Sequence, residues 1–260
     1  FESCLTVFAK YKPQFCINTA AYTAVDKAES EAEKAHLINA VGPENLAKVC
    51  KEYNTILLHI STDFIFDGTS TSLSMTNGYK ETDIPNPQSV YGQTKLDGEI
   101  AIQKNWEKHF IVRTSWVYSQ FANNFMKTML RLASERDNLS VVNDQIGTPT
   151  NAVDLAEVLM VIIVSSFKFA SPVRFHSGQV SSFGIYNFSN EGQCSWYDFA
   201  NEIFHQKGIK IDLKPIPTSA YPTPAKRPAY SVLDKTKIKN TFNLEIKNWQ
   251  MSLEKCLNQL

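Results

Sequence analysis

An α/β fold, a doubly wound parallel sheet with a smaller second lobe, is the class this sequence predicts. Three features predict it. Short apolar, β-branched runs alternate with helical patterns, which implies right-handed strand–helix–strand crossovers. The runs are almost continuously apolar, as strands covered on both faces are. Each then passes into small polar residues at its carboxyl end, the edge where open parallel sheets bind ligands.

The elements follow in order. "CLTVFAKYKP" near the start is helical, so a preceding segment is expected before Phe1. "FCINTAA" (15–21) reads as a buried strand, "EAEKAHLIN" (31–39) as a helix, and "PENLAKVCKEY" (43–53) as another helix with Pro in its first turn. "TILLHIST" (55–62) is a second strand, "VYGQTKLDGEIAIQK" (90–104) a helix and "HFIVRTSWVY" (109–118) a third strand. "NNFMKTMLRLASER" (123–136) is helical and "LSVVND" (139–144) is a fourth strand. The rhythm then changes. A boundary at 172/173 is expected, with a nucleotide-binding domain over 1–172 and a substrate lobe over 173–260. That lobe holds a strand at 184–190, a helix at 195–208 capped by Ser195 and stopped by Gly208, a Pro-rich loop at 215–228 and a last helix in "NWQMSLEKCLNQL". The polar segment 67–83 reads as a surface loop.

Lys plus Arg and Asp plus Glu balance at 26 each. No net field therefore points to nucleic acid or anionic lipid. The longest apolar stretch, 154–167, is broken by Asp154 and Glu157 and falls short of the roughly 20 apolar residues of a membrane span. No signal-peptide pattern is seen, and a cytoplasmic location is expected. Five scattered cysteines without a CxxC pair suit a reducing compartment and no structural metal. The five histidines lack partners at metal spacing and read as structural or surface residues. Glu29, Glu31 and Glu33 read as a solvated cluster at a helix start.

The candidate chemistry lies in "SVYGQTKLDGE", residues 89–99. Tyr91 and Lys95 share a helix face one turn apart. Chance alone supplies about one such tyrosine–lysine pair in a chain with 10 Tyr among 260 residues, so the spacing needs support. The support is the polar strand edge: Asn18-Thr19-Ala20-Ala21-Tyr22-Thr23, Ser61-Thr62-Asp63, Thr114-Ser115-Trp116 and Asn143-Asp144-Gln145. A neighbouring ammonium is expected to lower the Tyr91 phenol from its usual pKa near 10. A tyrosine so tuned hands a proton to a developing alkoxide, and a hydroxyl such as that of Thr62 fixes the same oxygen. Hydride delivery to a carbonyl by a nicotinamide cofactor fits these groups.

"INTAAYTAVDKAESE", "ISTDFIFDG", "SVYGQTKLDGE", "RTSWVYS", "NNFMKTMLRLA", "VVNDQIGTPT" and "TSAYPTPAKRPAYSVLD" together resemble the dTDP-4-dehydrorhamnose reductase family, extended short-chain dehydrogenases/reductases of a modified Rossmann fold. The resemblance runs in order across essentially the whole chain. It implies NAD(P)H-dependent reduction of the C4 ketone of a dTDP-sugar, the last step of dTDP-rhamnose formation. It implies Tyr91 as proton donor, Lys95 as its partner and a ribose ligand, and Thr62 as third member of the triad. Ala21, Tyr22 and Thr23 would pack on the cofactor, with Asn39 behind the lysine. Thr23, Val25, Thr62, Asp63, Trp116 and Arg227 would face the substrate, Arg227 toward its diphosphate. NADPH against NADH stays open. Mg2+ is known in some relatives but no ligands for it can be placed here, and a homodimer is the partner expected. Two features depart from the family. No GxxGxxG turn occurs in the 260 residues, so roughly the first two strands of the family's sheet are expected to be missing. The 67–83 loop is long. A non-catalytic regulatory subunit resembling the β subunit of methionine adenosyltransferase stays open as an alternative, as does a nucleotide-sugar epimerase or dehydratase.

Overall fold

A computed structural model describes residues 1–69, 78–170 and 182–260, with backbone alone at 167–170. Four parallel strands form the main sheet, in the spatial order Phe15–Asn18, Ile56–Thr62, His109–Thr114, Gly184–Asn187. Successive strand side chains point to opposite faces. Leu57 and Ile111 accordingly pack with Phe8, Val49, Cys50 and Ile102 on one side. Ile56, Leu58, Phe110 and Val112 pack with Leu155, Ile162, Tyr186 and Phe242 on the other. Helices thus cover both faces, which is why these strands are apolar at nearly every position. Burying each such Leu, Ile or Phe contributes about 1.5–3 kcal/mol.

The fourth strand differs from expectation. Residues 139–144 lie outside the main sheet: Asn138–Val142 pairs in parallel with Asp212–Ile216. Its sequence explains this. In Asn138-Leu139-Ser140-Val141, exposed polar and buried apolar residues alternate, as in a strand with one face in water. Gly184–Asn187, expected in the second lobe, instead completes the main sheet beside His109–Thr114. A second core joins Leu139, Val141, Met126 and Met129 to Phe199, Ile203, Trp249 and Leu253. It therefore draws side chains from both sides of residue 172. The expected boundary at 172/173 and the middle of the 67–83 loop lie outside the described residues.

The expected strand over 109–118 is interrupted. Trp116 adopts a left-handed backbone, φ 47°, which ends the strand at Thr114. Val117–Tyr118 then pairs with Thr150–Asn151. The helices at Ala32–His36 and Gly42–Glu52 are joined by a π-helical turn, Leu37–Val41, in which Gly42 N–H donates to the Leu37 carbonyl. The wider turn accommodates Pro43, which has no N–H to give. Within the expected 215–228 loop, Pro215 and Ile216 belong to a strand. A short 3-10 turn, Thr218–Ala220, follows, and both Asp144 carboxylate oxygens accept the Thr218 N–H at 2.9 Å. Among the described residues no helix is long and apolar enough to cross a membrane.

Candidate active site

The strand Ile56–Thr62 runs out at the carboxyl edge of the sheet into Asp63 and Phe64. Thr62 is buried and extended; its Oγ1 accepts the Phe64 N–H at 3.2 Å and donates to Asp63 Oδ1 at 3.1 Å. Asp63 is 2% exposed. Burial pushes its carboxyl up to about 6, against the opposing hydroxyls of Ser231 and Thr62. Its Oδ2 is buried without a hydrogen-bond partner.

Tyr91 is brought to this edge by the start of the helix Val90–Asn105. Ser89 caps that helix, its Oγ accepting the Gly92 N–H at 3.1 Å, and Glu29 Oε1 accepts the Val90 N–H at 2.9 Å. The Tyr91 ring meets Phe64 edge-on, centroids 5.5 Å apart. The helix comes so close that a Cβ on Gly92 would stand 2.2 Å from the Phe64 carbonyl oxygen. Burial pushes the Tyr91 phenol up to about 12; the Thr62 hydroxyl opposes the shift and the Asp63 charge adds to it.

Lys95 lies one turn further along and is buried. Its Nζ donates to the Ile60 carbonyl at 2.7 Å and stands 3.2 Å from His59 Nε2. Burial brings its amine down to about 8, with Glu99 opposing. The sequence-based expectation that Lys95 lowers Tyr91 is thus corrected. The amine is engaged under the strand, and the phenol answers to burial and to Asp63.

Asn39, fully buried in the π-helical turn, holds the Tyr22 peptide from both sides. Its Oδ1 accepts the Tyr22 N–H at 2.8 Å, and its Nδ2 donates to the Tyr22 carbonyl at 3.2 Å and to Thr94 Oγ1 at 3.1 Å. Its amide reaches the Tyr91–Lys95 helix through Thr94 and bonds no atom of Lys95. Tyr22 packs with Val90 and Tyr91, and its hydroxyl donates to Glu31 Oε2 at 3.0 Å. Ala21 is half-buried, Thr23 exposed and Val25 half-buried along the same rim.

Trp116 stands two residues past Thr114, the register partner of Thr62. Its indole stacks on Trp196, centroids 3.6 Å apart and planes within 10°. Arg227 is not free. Its guanidinium forms a two-pronged pair with Asp26, at 2.8 and 3.1 Å, and also donates to Thr223 and to the Ala225 carbonyl. Arg227 holds the Asp26 carboxyl below the usual carboxylate range. Among the described residues no three His, Cys, Asp or Glu side chains gather to hold a metal ion.

The family model described as the RmlD substrate binding domain matches residues 1–260. The chain belongs to the RmlD substrate binding domain family. A relative within reach of this family, the dTDP-4-dehydrorhamnose reductase of Aggregatibacter actinomycetemcomitans, is 42% identical over 255 residues, 96% of this chain and 82% of that protein. The crystal structure of a dTDP-4-dehydrorhamnose reductase from Clostridium acetobutylicum superposes with TM-score 0.89 at 40% identity, covering 99% of this chain and 85% of that one. The Bacillus anthracis dTDP-4-dehydrorhamnose reductase, in complex with NADP, gives TM-score 0.87 at 35% identity, covering 100% and 85%.

In this RmlD-family chain, sequence reasoning passed over several residues. Glu29 and Glu31 were expected as solvated charges; Glu29 is exposed as expected but also accepts the Val90 N–H at the start of the Tyr91 helix, and half-buried Glu31 accepts from Tyr22. His59 was expected to be structural or exposed; it is buried against Lys95. Its signal was a single imidazole inside the apolar run "TILLHIST". Asp26 and Ser231, which act on Arg227 and Asp63, carried no local signal.

Proposed function

We propose that this chain reduces the C4 ketone of dTDP-4-dehydro-6-deoxy-L-mannose to dTDP-L-rhamnose, using NADPH or NADH. The observation that carries the reading is the meeting of Tyr91 with Thr62 and Asp63 at the carboxyl edge of the sheet, in a chain about two-fifths identical to dTDP-4-dehydrorhamnose reductases. A nicotinamide cofactor supplies the hydride when bound.

The residues present fit such a ligand pair in one telling respect. Asp63 Oδ2 is buried and closes no hydrogen bond of normal geometry, although the Ser231 hydroxyl lies near the carboxyl, and leaving such an atom unpaired costs about 1–3 kcal/mol. A ligand hydroxyl at the rim removes that cost. Ala21, Tyr22 and Thr23 form the wall against which the cofactor packs, with Asn39 keeping the Tyr22 peptide in place. Lys95 is the candidate for the ribose hydroxyls. Thr23, Val25, Thr62, Asp63 and Trp116 face the sugar, and Arg227 the diphosphate.

Tyr91 acts as the acid. A phenol near 12 is fully protonated at neutral pH, so the proton is always there to give. It goes to an oxygen becoming an alkoxide, which is more basic than the phenolate left behind. The Thr62 hydroxyl has one proton to donate, and turning it from Asp63 Oδ1 to the substrate oxygen steadies that oxygen. A cytoplasmic site of action belongs to the same reading, because the dTDP-sugar and the reduced cofactor are soluble metabolites; a pairing of two copies is carried by the family resemblance alone.

The test is consumption of NADPH or NADH at 340 nm with the dTDP-4-keto sugar. Stoichiometric oxidation with dTDP-L-rhamnose as product is expected. No oxidation by the purified protein, or catalysis that leaves the cofactor unconsumed, overturns the reading.

A further inference from the structure

A chain of hydrogen bonds runs behind the site and has no part in the reading so far. Ala20 N–H donates to Asn18 Oδ1 at 3.1 Å, and Asn18 Nδ2 stands 2.9 Å from His59 Nδ1. His59 Nε2 stands 3.2 Å from Lys95 Nζ, which donates to the Ile60 carbonyl at 2.7 Å. Asn18 and His59 are register partners on adjacent strands, and all three side chains are buried.

The chemistry of the donors leaves little freedom. A backbone N–H only donates, so the Asn18 atom facing Ala20 is the oxygen and the amide nitrogen faces the imidazole. An amide nitrogen also only donates, so His59 Nδ1 accepts. Burial keeps His59 neutral, and a charge on Lys95, when present, only adds to this. A neutral imidazole that accepts at Nδ1 carries its proton on Nε2. That N–H points at Lys95 Nζ. Two donors do not bond each other, so the link closes only when Lys95 is an amine with a free lone pair. A charged Lys95 requires the opposite pattern: the imidazole proton on Nδ1, the Asn18 amide turned over, and the Ala20 N–H without its acceptor.

We propose that His59 and Asn18 are positioning residues that form a two-state relay, in which the proton on Lys95 sets the His59 tautomer and the hold on the Ala20 peptide. When Lys95 is neutral, His59 Nε2–H donates to it and Asn18 grips Ala20. When one proton is taken up from solvent, the Nε2 proton passes to Nζ and the incoming proton settles on Nδ1, so the imidazole stays neutral, Nε2 accepts from the ammonium, and Asn18 turns over and lets Ala20 go. Ala20 adjoins Ala21, Tyr22 and Thr23, so the wall assigned to the cofactor is coupled to the charge of the lysine assigned to its ribose. That consequence rests on the proposed function; the relay itself does not. Other groups face Lys95 as well. Glu99, on its own helix, favours the ammonium, and Arg113 from the adjacent strand holds Glu99 at 2.8 Å. Tyr91 lies one turn back on the helix, and Asp63 lies past the end of the strand.

Nuclear magnetic resonance reads both halves of the relay. The Lys95 Cε signal, assigned by its loss in Lys95→Met, gives the lysine titration; the His59 ring nitrogens give the tautomer. The expected result is an exchange of the His59 Nδ1 and Nε2 shifts with the same midpoint as Lys95. In Asn18→Asp the new side chain only accepts, so the His59 proton is locked on Nδ1 and the Lys95 midpoint rises by at least one pH unit. A His59 tautomer that stays constant while Lys95 titrates in the unmodified protein overturns the relay, and that measurement decides even if Asn18→Asp does not fold. An unmoved Lys95 midpoint in folded Asn18→Asp also overturns it. Turnover of Lys95→Met separates the two ideas: full activity there removes the catalytic role of Lys95 and leaves the relay standing.

Discussion

Lys95 donates its Nζ to the Ile60 carbonyl at 2.7 Å, inside the sheet edge rather than toward the phenol one turn away. The pairing of tyrosine and lysine on one helix face therefore divides into two tasks. In the proposed reading Tyr91 serves the reacting oxygen with Thr62, while the Lys95 amine is held from beneath by Ile60 and His59 beside the place assigned to the ribose. In the ligand-free fold, burial holds the Tyr91 phenol protonated rather than making it more acidic.

Tyr91→Phe removes that donor and keeps the ring against Phe64. Turnover is expected to fall by about 10²–10⁴-fold, the usual worth of a positioned general acid, while the thermal midpoint changes little. Because the phenol titrates near 12, its own ionisation should leave no alkaline limb in kcat below about pH 10. Steady-state rates against pH for both proteins check this. An unchanged turnover in the variant removes Tyr91 as the acid.

Asp63 makes a stability prediction of definite sign. Its carboxyl is moved from 3.8 to about 6 on folding. Between those values the folded protein binds the proton more often than the unfolded chain. Stability from this group is therefore fully present below about pH 4, falls as pH rises through the window, and is lost above about 6. The two-unit shift corresponds to about 3 kcal/mol at most. Asp63→Asn should raise unfolding free energy at pH 7 and do little at pH 4, with activity lost at both. Denaturant titrations at the two values measure it; equal effects at both pH values exclude a buried, shifted carboxyl.

The main sheet was legible because burial on both faces leaves a direct record. Leu57, Leu58, Phe110, Ile111 and Val112 are apolar at every register. The same rule misled at 139–144, where alternation in Asn138-Leu139-Ser140-Val141 marked a one-faced strand that belongs elsewhere. The break at Trp116 was not legible, since nothing local announces a left-handed tryptophan. Within the site, Tyr91, Thr62 and Asp63 could be read as residue types at strand and helix ends. Asp26 and Ser231 could not. Their action comes from contacts across the chain, the Asp26–Arg227 pair spanning some 200 positions.

Gly147 and Trp116 depend on each other. A Cβ at 147 would stand 2.6 Å from the Trp116 indole, which already stacks on Trp196. Gly147→Ala must push the indole off its partner. Lost stacking of about 0.5–1.5 kcal/mol and overpacking of about 1–3 kcal/mol should both lower stability. If the indole faces the sugar, KM for the dTDP-sugar rises as well, while binding of the reduced cofactor stays as it was. Thermal unfolding and separate KM values for the two ligands check the pairing. A stable variant with both KM values unchanged removes Trp116 from the sugar site.

The Asp26–Arg227 pair sets up the last test. Arg227 is expected to meet the diphosphate, yet its guanidinium is spent on Asp26, with Thr223 and Ala225 completing the grip. An anionic ligand must share that fork with a carboxylate of like charge. Removing the carboxylate should then help the ligand, and removing the guanidinium should hurt it. Asp26→Asn is expected to tighten dTDP binding a few-fold at low salt, less as salt screens the repulsion. Arg227→Gln is expected to weaken it about 10–100-fold, the worth of one or two charge-assisted hydrogen bonds. Calorimetric titration with dTDP at two salt concentrations measures both. If Arg227→Gln binds dTDP as the unmodified protein does, Arg227 serves only to tie the 221–228 loop to the helix that begins at Val25, and the diphosphate is held by other groups.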